Sequence, residues 1–472
     1  MTADRFTLSG TTLRERMAAA VTDERLRGNV ARAVDRFATH RAEGLGELVD
    51  ADGLRHAARG VRNEVLAELP ELLERFADRA LARGTHVSWA STAAEARDYI
   101  ARVVERHGAT RVVKSKSMAT EEIDLNATLI ARGAEVVETD LGEWIVQLAD
   151  EVPSHIIAPA LHKDRQQIHD LFVAKAQAPP SLGTKPDELV RFARERLREQ
   201  FLGAEVGITG ANLAVAETGS IVLVTNEGNG RLVTALPPVH IVVLGMERLA
   251  ATWDQADLLL ALLARSATGQ RLSSYTSVVT GPRADHEVDG PVELHVVVLD
   301  NGRSRMLAQP DVHEMLACIR CGACLNVCPV YRQTGGHAYG WVYPGPMGSV
   351  LTPLMAPPEM HSEAAELPNA STLCGACMDA CPVELPLQDM LLALRREKAA
   401  EAGRGERAAW RLWATAWSDS RRYSATTRAA TWGRWVTRVA GRLPVASSWT
   451  LGRELPAVAP ERFRDRWWKG QV

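Results

Sequence analysis

Two short cysteine runs constrain the fold of this chain more than any other feature of its sequence. They hold all seven cysteines of the 472-residue chain, and each run ends in Cys-Pro. The first run has the spacing C-x2-C-x2-C-x3-C-P and contains Cys318, Cys321, Cys324 and Cys328. The second run repeats this pattern without its leading cysteine and contains Cys374, Cys377 and Cys381. Bacterial ferredoxins hold their iron–sulfur clusters with this spacing.

The spacing also predicts which thiolates share a cluster. In ferredoxins of this type the fourth cysteine of a run ligates the cluster of the other run. We therefore expect two [4Fe–4S] clusters with exchanged ligands, and Gly322 eases the tight path that turns the first thiolates inward. The iron ligands of cluster I are then Cys318, Cys321, Cys324 and Cys381. The iron ligands of cluster II are Cys328, Cys374 and Cys377.

Cluster II is one thiolate short in this assignment. Superposing the two runs puts Ser371 at the position of the missing cysteine. Ser371, a water molecule or a carboxylate completes the cluster, or the site holds a [3Fe–4S] cluster. Structural zinc sites match less well, because they pair one C-x2-C with another or with two histidines. Disulfides would leave an odd thiol.

Upstream of the cysteines, short apolar runs alternate with helical patterns. Residues 1–85 are rich in Ala, Arg, Glu and Leu at helical spacing. Beyond them we predict helices at about residues 92–107, 117–132, 163–175 and 186–201. The predicted strands are Arg111–Lys114, Ala134–Glu138, His155–Pro159, Gly207–Thr209, Leu213–Ala216, Ile221–Thr225, Val239–Gly245 and Glu293–Leu299. This alternation predicts a layered α/β domain with a largely parallel sheet.

Changes in character along the chain predict four parts. They are a helical N-terminal segment at 1–85, an α/β domain at 86–303, a ferredoxin-like cluster domain at 304–398 and a tail at 399–472. Leu387, Leu391 and Leu394 begin an amphipathic helix near the end of the cluster domain. The Gly-rich stretch Asn226–Arg231 lacks the spacing of a nucleotide-binding loop and is predicted to be a hairpin turn.

The C-terminal tail differs from the rest of the chain in charge. From Arg395 onward there are 17 Lys and Arg residues against 7 Asp and Glu, a balance of +10, so the remainder carries −13. Eight of the 12 tryptophans also lie there. This asymmetry indicates a docking surface for an acidic partner, for a membrane face or for the chain's own acidic body. Prolines at 444, 456 and 460 predict a poorly regular extension.

Composition and the N-terminal sequence bear on location. Hydrophobic residues make up 46% of the chain and charged residues 24%, which is typical of a globular protein. The N-terminus, MTADRFTLSG, lacks the apolar region of a secretory signal. Apolar runs all fall short of the roughly 18–20 residues that a membrane span needs. We therefore expect a cytoplasmic protein.

Several longer motifs resemble a known family. Residues 114–118 (KSKSM), 138–144 (ETDLGEW), 207–221 (GITGANLAVAETGSI), 280–290 (TGPRADHEVDG) and 299–303 (LDNGR) are similar to the LUD, or lactate-utilisation, domain. Together with the cysteine runs and the tail segments 449–453 (WTLGR) and 463–467 (FRDRW), they make the chain resemble the lactate-utilisation iron–sulfur protein family, LutB or LldF. The resemblance covers nearly the whole chain.

The resemblance implies a fold, cofactors and partners. It implies a NagB/RpiA/CoA-transferase-like α/β fold, followed by an α-helical ferredoxin arrangement with two [4Fe–4S] clusters on seven cysteines. It implies participation in the oxidation of L-lactate to pyruvate. It also implies two partners, a LutA-like protein with cysteine-rich domains and a short LutC-like LUD protein. The electron acceptor is not implied, and a nucleic-acid partner is not expected.

A few polar residues are weaker candidates for chemistry. Glu217 lies in an E-x-G context like that of the CoA-transferase nucleophile, although a strand-end carboxylate capping a turn is the favoured interpretation. His240 is a candidate acid or base, and a hydrogen-bonded core histidine is favoured. Lys114, Lys116 and Arg231 are candidates for holding a carboxylate or phosphate, and solvated surface charges are favoured.

The sequence thus predicts a redox subunit that passes electrons from lactate oxidation through the two clusters. One alternative is a LUD-domain enzyme that itself binds the hydroxy acid or an acyl carrier. A second alternative is a structural scaffold for partner subunits. A pair of clusters accepts one electron at a time, so it connects a two-electron donor to an acceptor, which favours the redox subunit.

Overall fold

The computed structural model describes residues 10–401, 403–432 and 458–471. The chain forms two compact units, residues 1–395 and residues 396–472. The predicted boundaries at residues 85 and 303 both fall inside the first unit, and the predicted division into four parts stays a prediction.

A six-stranded parallel sheet forms the centre of the first unit. Its strand order is β1-β10-β7-β4-β2-β3. The strands are β1 (His86–Ala90), β2 (Arg111–Lys114), β3 (Glu135–Glu138), β4 (Val206–Gly210), β7 (Val239–Gly245) and β10 (Glu293–Leu299). Every neighbouring pair is parallel, as the alternation of strands and helices predicts.

A smaller four-stranded sheet lies beside the main sheet in the same unit, in the order β8-β5-β6-β9. Its strands are β5 (Leu213–Val215), β6 (Ser220–Thr225), β8 (Leu249–Ala250) and β9 (Tyr275–Val279). Strands β5 and β6 form a hairpin around Gly219, which has a positive φ of 71°. A side chain there would meet the backbone of α4 at Ala80, so glycine is required for this turn.

Helices pack around both sheets. The N-terminal helices are α1 (Leu13–Thr22), α2 (Glu24–Gly46), α3 (Ala51–Ala67) and α4 (Leu69–Leu81). The helices between the strands are α5 (Ala93–Arg106), α6 (Met118–Glu122), α7 (Leu125–Ala131), α8 (Leu141–Leu148), α9 (Arg165–Lys175), α10 (Pro186–Leu202), α11 (Asn229–Ala235), α12 (Trp253–Thr268) and α13 (Arg303–Leu307).

The cysteine region is helical, as predicted. Its helices are α14 (Ala323–Asn326), α15 (Pro329–Thr334), α16 (Gly345–Met355), α17 (His361–Ala364), α18 (Ala376–Asp379) and α19 (Leu387–Ala400). Four 3-10 turns separate them, at His313–Ala317, His337–Tyr339, Pro358–Met360 and Leu367–Asn369. The second unit contains α20 (Arg404–Trp417), α21 (Ser420–Trp432) and, after the undescribed segment, α22 (Phe463–Trp468).

Apolar side chains on the two faces of the main sheet enter different cores. On β7, Ile241 and Val243 pack with α5, α6 and α7, whereas Val242 and Leu244 pack with α4 and the smaller sheet. A third core joins α2, α3 and α12 to the cysteine region and contains Val34, Leu259 and Tyr339. The cysteine region is therefore built onto the helical side of the α/β layers, with one continuous core.

Two sequence predictions about local structure are wrong. Residues 155–159 form an irregular segment rather than a strand, because the ring of His155 accepts hydrogen bonds from the backbone amides of Ile157 and Ala158 at 3.1 and 3.2 Å. Residues 226–231 do not form a hairpin turn. Gly228, with a φ of 75°, instead begins α11 directly after β6.

Other differences concern the length and number of the helices and strands. The predicted helix at 117–132 is two helices, separated at Asp124, whose φ is 46°. Strands β1, β8 and β9 and helices α8, α11 and α12 were not predicted, since several are too short to show a clear period. Of the prolines that predict an irregular tail, Pro444 and Pro456 lie outside the described residues, and the described parts of the tail are largely helical.

Lys114 ends β2 and is fully buried, so the prediction of a solvated surface charge is wrong. Its ammonium group donates to Glu138 and to Asn126, both at 2.6 Å, and pairs with Glu121 at 3.4 Å. Burial alone would lower the pKa of Lys114, but the two carboxylates outweigh it and raise the pKa. The lysine therefore stays charged inside the α/β domain.

We predict that Lys114→Met lowers the free energy of unfolding by about 3–5 kcal/mol, because it leaves buried carboxylates without their cation. Lys185→Met, at the exposed start of α10, is the control and should change stability by less than about 0.5 kcal/mol. Urea unfolding followed by circular dichroism measures both. Equal stability of the two variants would contradict this role of Lys114.

Candidate iron–sulfur site

The two cysteine runs have the same backbone path. In the first run Arg320 and Gly322, on either side of Cys321, have positive φ values of 58° and 79°. In the second run Leu373 and Gly375, on either side of Cys374, have positive φ values of 54° and 86°. A short helix follows each glycine, α14 in the first run and α18 in the second. The runs are a structural repeat as well as a sequence repeat.

The repeat places Ser371 where the first run has Cys318. The backbone amide of Arg320 donates to the Sγ of Cys318 at 3.4 Å. The equivalent amide, that of Leu373, donates to the Oγ of Ser371 at 3.1 Å. Arg395 fixes this segment further by donating to the carbonyl oxygen of Ser371 at 2.9 Å. The same local turn therefore presents a thiol in one run and a hydroxyl in the other.

Four cysteines from the two runs line one small cavity. They are Cys318, Cys321, Cys324 and Cys381. The remaining wall is mostly apolar, with Ile156, Met347 and Leu385 among its residues. The irregular segment at 155–159 closes one side, since a Cβ built on Gly322 would lie 3.3 Å from the ring of His155. Glycine is thus needed at position 322 for the close approach as well as for its φ.

Electrostatics in this cavity favours a bound cation. Burial and the neighbouring Cys381 thiolate raise the pKa of Cys321, and burial and Cys318 raise that of Cys381 to about 11. Burial and four neighbouring cysteines, Cys377 of the second run among them, raise the pKa of Cys324 well above its usual range. Burial therefore disfavours the thiolate forms of Cys321, Cys324 and Cys381 unless positive charge enters the cavity, and the iron of a cluster would supply that charge. The donor set and the cavity match a cubane cluster.

The other three cysteines form a second group. Cys328 and Cys377 are buried, and Cys374 is exposed. Burial and the charges of Cys328 and Cys374 raise the pKa of Cys377 to about 11. Burial and Cys374 also raise the pKa of Cys328, whereas a hydrogen bond with Thr372 lowers the pKa of Cys374. These thiols therefore influence one another's pKa values, and Cys377 also raises that of Cys324. The assignment of the seven cysteines to two clusters with exchanged ligands stays a prediction.

Arginines from α2 and α3 surround the second run, which the sequence analysis did not foresee. Arg41 donates to the carbonyl oxygen of Ala380 at 2.7 Å. Arg55 donates to the carbonyl oxygen of Cys381 at 3.0 Å. Arg59 donates to that of Val383 at 3.3 Å. These partners are backbone atoms, so no residue type in the cysteine runs signals the contacts.

A fourth arginine on α3 is fully buried. Arg62 donates to the carbonyl oxygens of Glu247 and Leu249 at 2.6 and 2.8 Å, and to Leu316 at 3.0 Å. Burial lowers its pKa to about 10, which still leaves it charged at neutral pH. This guanidinium joins the end of β7 to the 3-10 turn that precedes Cys318. It ties the cysteine region to the α/β layers.

The weaker candidates lie apart from the cysteines. Glu217 is exposed, and its carboxylate accepts a hydrogen bond from the backbone amide of Trp253 at the start of α12, at 3.1 Å. His240 is fully buried, and its Nε2 lies 2.9 Å from the hydroxyl of Thr209. Burial lowers the pKa of His240 to about 3, so the ring is neutral. Arg231 is exposed.

Lys116 differs from these candidates because it lines a second, larger cavity. Its ammonium group donates to the carbonyl oxygen of Ile157 at 2.6 Å. The cavity also contains Arg248 and Arg320, the residue just before Cys321. Sequence reasoning named Lys116 but missed the two arginines, because they meet Lys116 only through the fold.

Comparison with known families covers most of the chain. The family model for the LUD domain matches residues 73–299, that for a 4Fe-4S dicluster domain matches residues 314–385, and that for the C-terminal part of lactate utilisation protein B matches residues 392–472. A curated relative, lactate utilization protein B of Shouchella clausii, is 46% identical over 97% of this chain and 96% of its own length. The chain belongs to the lactate utilization protein B family.

Other members of the lactate utilization protein B family are about as similar in sequence to this chain. The protein of that name from Anoxybacillus flavithermus is 47% identical over 96% of both chains. The one from Bacillus subtilis is 45% identical over 96% of this chain and 95% of its own. A crystal structure of a DUF162 family protein from Deinococcus radiodurans has 18% identity over 49% of this chain and 98% of that one, with a TM-score of 0.29 too low to support a structural argument.

A helix that spans a membrane needs about 20 predominantly apolar residues. Within residues 10–401, 403–432 and 458–471, every helix is too short or too polar to cross a bilayer.

We predict that Arg55→Gln lowers the reduction potential of the cluster at Cys381, because nearby positive charge stabilises the reduced, more negative cluster. The expected shift is on the order of tens of millivolts, given the screened interaction of single charges. Redox titration monitored by electron paramagnetic resonance measures it. Arg194→Gln, on the exposed part of α10, is the control. A potential unchanged or raised in Arg55→Gln would contradict the electrostatic role.

Proposed function

We propose that this chain is the iron–sulfur electron-transfer subunit of a complex that oxidises L-lactate to pyruvate. The cavity lined by Cys318, Cys321, Cys324 and Cys381 is the observation that carries the proposal. A [4Fe–4S] cluster bound there would supply one-electron transfer. The family supplies the reaction, since its curated members are named for lactate utilisation.

The chain's own residues prepare both cluster sites. Cys318, Cys321, Cys324 and Cys381 would hold cluster I, and Cys328, Cys374 and Cys377 would hold cluster II. For the missing ligand of cluster II we favour Ser371 over water or a carboxylate, because its hydroxyl occupies the place of Cys318 in the repeat. A [3Fe–4S] cluster is the alternative outcome. The exposure of Cys374 makes cluster II the one nearer solvent and a partner.

The proposal extends to partners, location and fold kinship. We infer a LutA-like protein with cysteine-rich domains and a LutC-like LUD protein as the partners, and the cytoplasm as the location. The six parallel strands support kinship with NagB/RpiA/CoA-transferase-like domains. Catalytic roles for Glu217 and His240 stay predictions, and neither residue lines the cavities at the cysteine runs.

The tail unit offers a surface for assembly. Trp410, Trp413 and Trp417 of α20 are each more than half exposed. Trp413 contacts Trp410 edge to face and stacks on Trp417, with ring centroids 5.9 and 5.7 Å apart. Helices α20 and α21 have no buried residue, and the tail is strongly basic. Exposed tryptophan with arginine is the composition that binding interfaces favour. A partner with an acidic face fits this surface.

We predict that Cys381→Ser damages the cluster held by Cys318, Cys321 and Cys324, although Cys381 is distant in sequence. Cys328→Ser should instead damage the cluster held by Cys374 and Cys377. Electron paramagnetic resonance of the anaerobic, dithionite-reduced variants distinguishes the signal of one cluster from that of the other.

Ser371→Ala is the matched probe of the repeat and should change the spectrum of cluster II alone. If each cysteine substitution perturbs only the cluster of its own run, the crossed assignment is wrong. An unchanged spectrum in Ser371→Ala excludes serine as a ligand.

The function itself is tested with the chain and its two partners under anaerobic conditions. L-Lactate should reduce the clusters of this chain in the three-protein mixture, as seen by bleaching of their visible absorbance. The rate should fall as salt rises, because charge pairing at an exposed surface is screened over about 8 Å at physiological ionic strength. Removing residues 400–472 should slow reduction while the iron content of the chain stays unchanged.

Clusters that stay oxidised in the complete mixture would contradict the proposed function. Undiminished reduction by the truncated chain would leave the function in place and contradict only the docking role of the tail.

A further inference from the structure

The larger cavity lies where ligands bind in parallel α/β sheets. It has a volume of about 270 Å³ and is lined at the carboxyl ends of β2, β4 and β7 by Ser115, Gly210 and Gly245. Ligand sites of open α/β sheets occupy this edge. The volume suits a molecule of a few heavy atoms better than a nucleotide or a flavin.

The two glycines leave no room for a side chain at this edge of the cavity. A Cβ on Gly245 would lie 2.6 Å from a carboxylate oxygen of Glu247 and 3.0 Å from Nε of Arg303. A Cβ on Gly210 would lie 2.5 Å from the hydroxyl of Ser117. Neither position has a positive φ, so glycine is required here by space and not by backbone conformation.

One of the three buried arginines in the cavity is fully occupied by carboxylates. Arg303 donates to both oxygens of Glu122 at 2.9 Å and to Glu247 at 2.7 Å. Tyr343 donates to the same Glu122 at 2.8 Å. These are the short distances of charge-assisted hydrogen bonds. Arg303 thus pairs with one carboxylate oxygen of Glu247, Oε2, and leaves Oε1 to longer contacts.

The other two arginines make only long contacts. Arg248 donates to the carbonyl oxygen of Cys318 at 3.3 Å and lies 3.6 Å from Glu247. Arg320 lies 3.5 Å from the sulfur of Met347, 3.7 Å from Glu247, and 5.0 Å from the ring centre of Tyr343. A guanidinium has five N–H donors, so both side chains keep donors for an anion in the cavity.

Lys116 adds a third cation, since only one of its three N–H donors is used, on Ile157. Asp140 and Glu227 line the cavity as well. Burial and repulsion by Asp140 raise the pKa of Glu227. These carboxyl groups disfavour a polyanion such as phosphate. They favour a ligand with one carboxylate and a neutral hydroxyl or keto group.

The cavity also adjoins the cluster I cavity. Ile156 and Arg320 line both of them. Arg320 therefore borders both the larger cavity and the cavity that Cys318 and Cys321 line.

We propose that this cavity binds a small monocarboxylate of the 2-hydroxy acid or 2-oxo acid class, whose carboxylate is held by Arg248, Arg320 and Lys116. The class of acid is taken from the proposed function, on which this inference rests. The position of the site is taken from the geometry of the arginines. It places the reactant or product acid in this chain, beside cluster I.

The test measures binding of L-lactate and pyruvate to the anaerobic holoprotein by isothermal titration calorimetry. Lactamide, which lacks the charge, and inorganic phosphate are the comparison ligands. We expect both acids to bind and the comparison ligands not to bind. Arg248→Gln and Lys116→Gln should each lower the affinity for both acids at least tenfold, whereas Arg194→Gln should leave it unchanged. Lys116 donates to the carbonyl oxygen of Ile157, whereas Arg248 donates to that of Cys318 itself, so Lys116→Gln keeps the test valid if Arg248→Gln loses its cluster.

Absence of acid binding to the wild-type protein, equal binding by Lys116→Gln and wild type, or equal binding of phosphate would each overturn the proposal. None of these results bears on the proposed function, which fails only if lactate and the partners leave the clusters oxidised. The two failures are therefore distinguishable.

Discussion

The shared cavity of Cys381 and the first cysteine run is the constraint on which the rest of this structure depends. Bringing Cys381 to Cys318, Cys321 and Cys324 closes the chain between the runs into a loop. Residues of that loop, among them Tyr339 and Tyr343, are consequently buried rather than left as a connecting segment. Closing so long a loop costs chain entropy, which the apolar core of the region offsets.

Buried charge then joins the cysteine region to the α/β layers. Arg303, at the start of α13, pairs with Glu122 from α6 and with Glu247 after β7, and Tyr343 from the cysteine region shares Glu122. Burial opposes the charge on Glu247, but the neighbouring arginines lower its pKa to about 2. Each ion is paired, so the network avoids the large cost of an isolated buried charge. Glu247 of this network also lies 3.7 Å from Arg320, which lines both cavities.

The spacing of the cysteines is visible in the sequence, whereas their polar environment is not. Cluster ligation depends on spacing within a few residues, which the sequence displays directly. The roles of Lys114 and Arg62 depend on partners far along the chain, such as Glu138 and Leu316, and so have no local pattern. The apolar residues after His155 suggested a strand. No pattern in the sequence indicates that the histidine ring accepts hydrogen bonds from the backbone amides of Ile157 and Ala158.

Two iron–sulfur clusters on seven cysteines are tested most directly by the iron, acid-labile sulfide and zinc content of the anaerobically purified full-length chain, combined with Mössbauer spectroscopy. We expect a brown protein with about seven to eight irons and a matching amount of sulfide, as one cubane cluster and one three-cysteine cluster require. Stoichiometric zinc without acid-labile sulfide would contradict it.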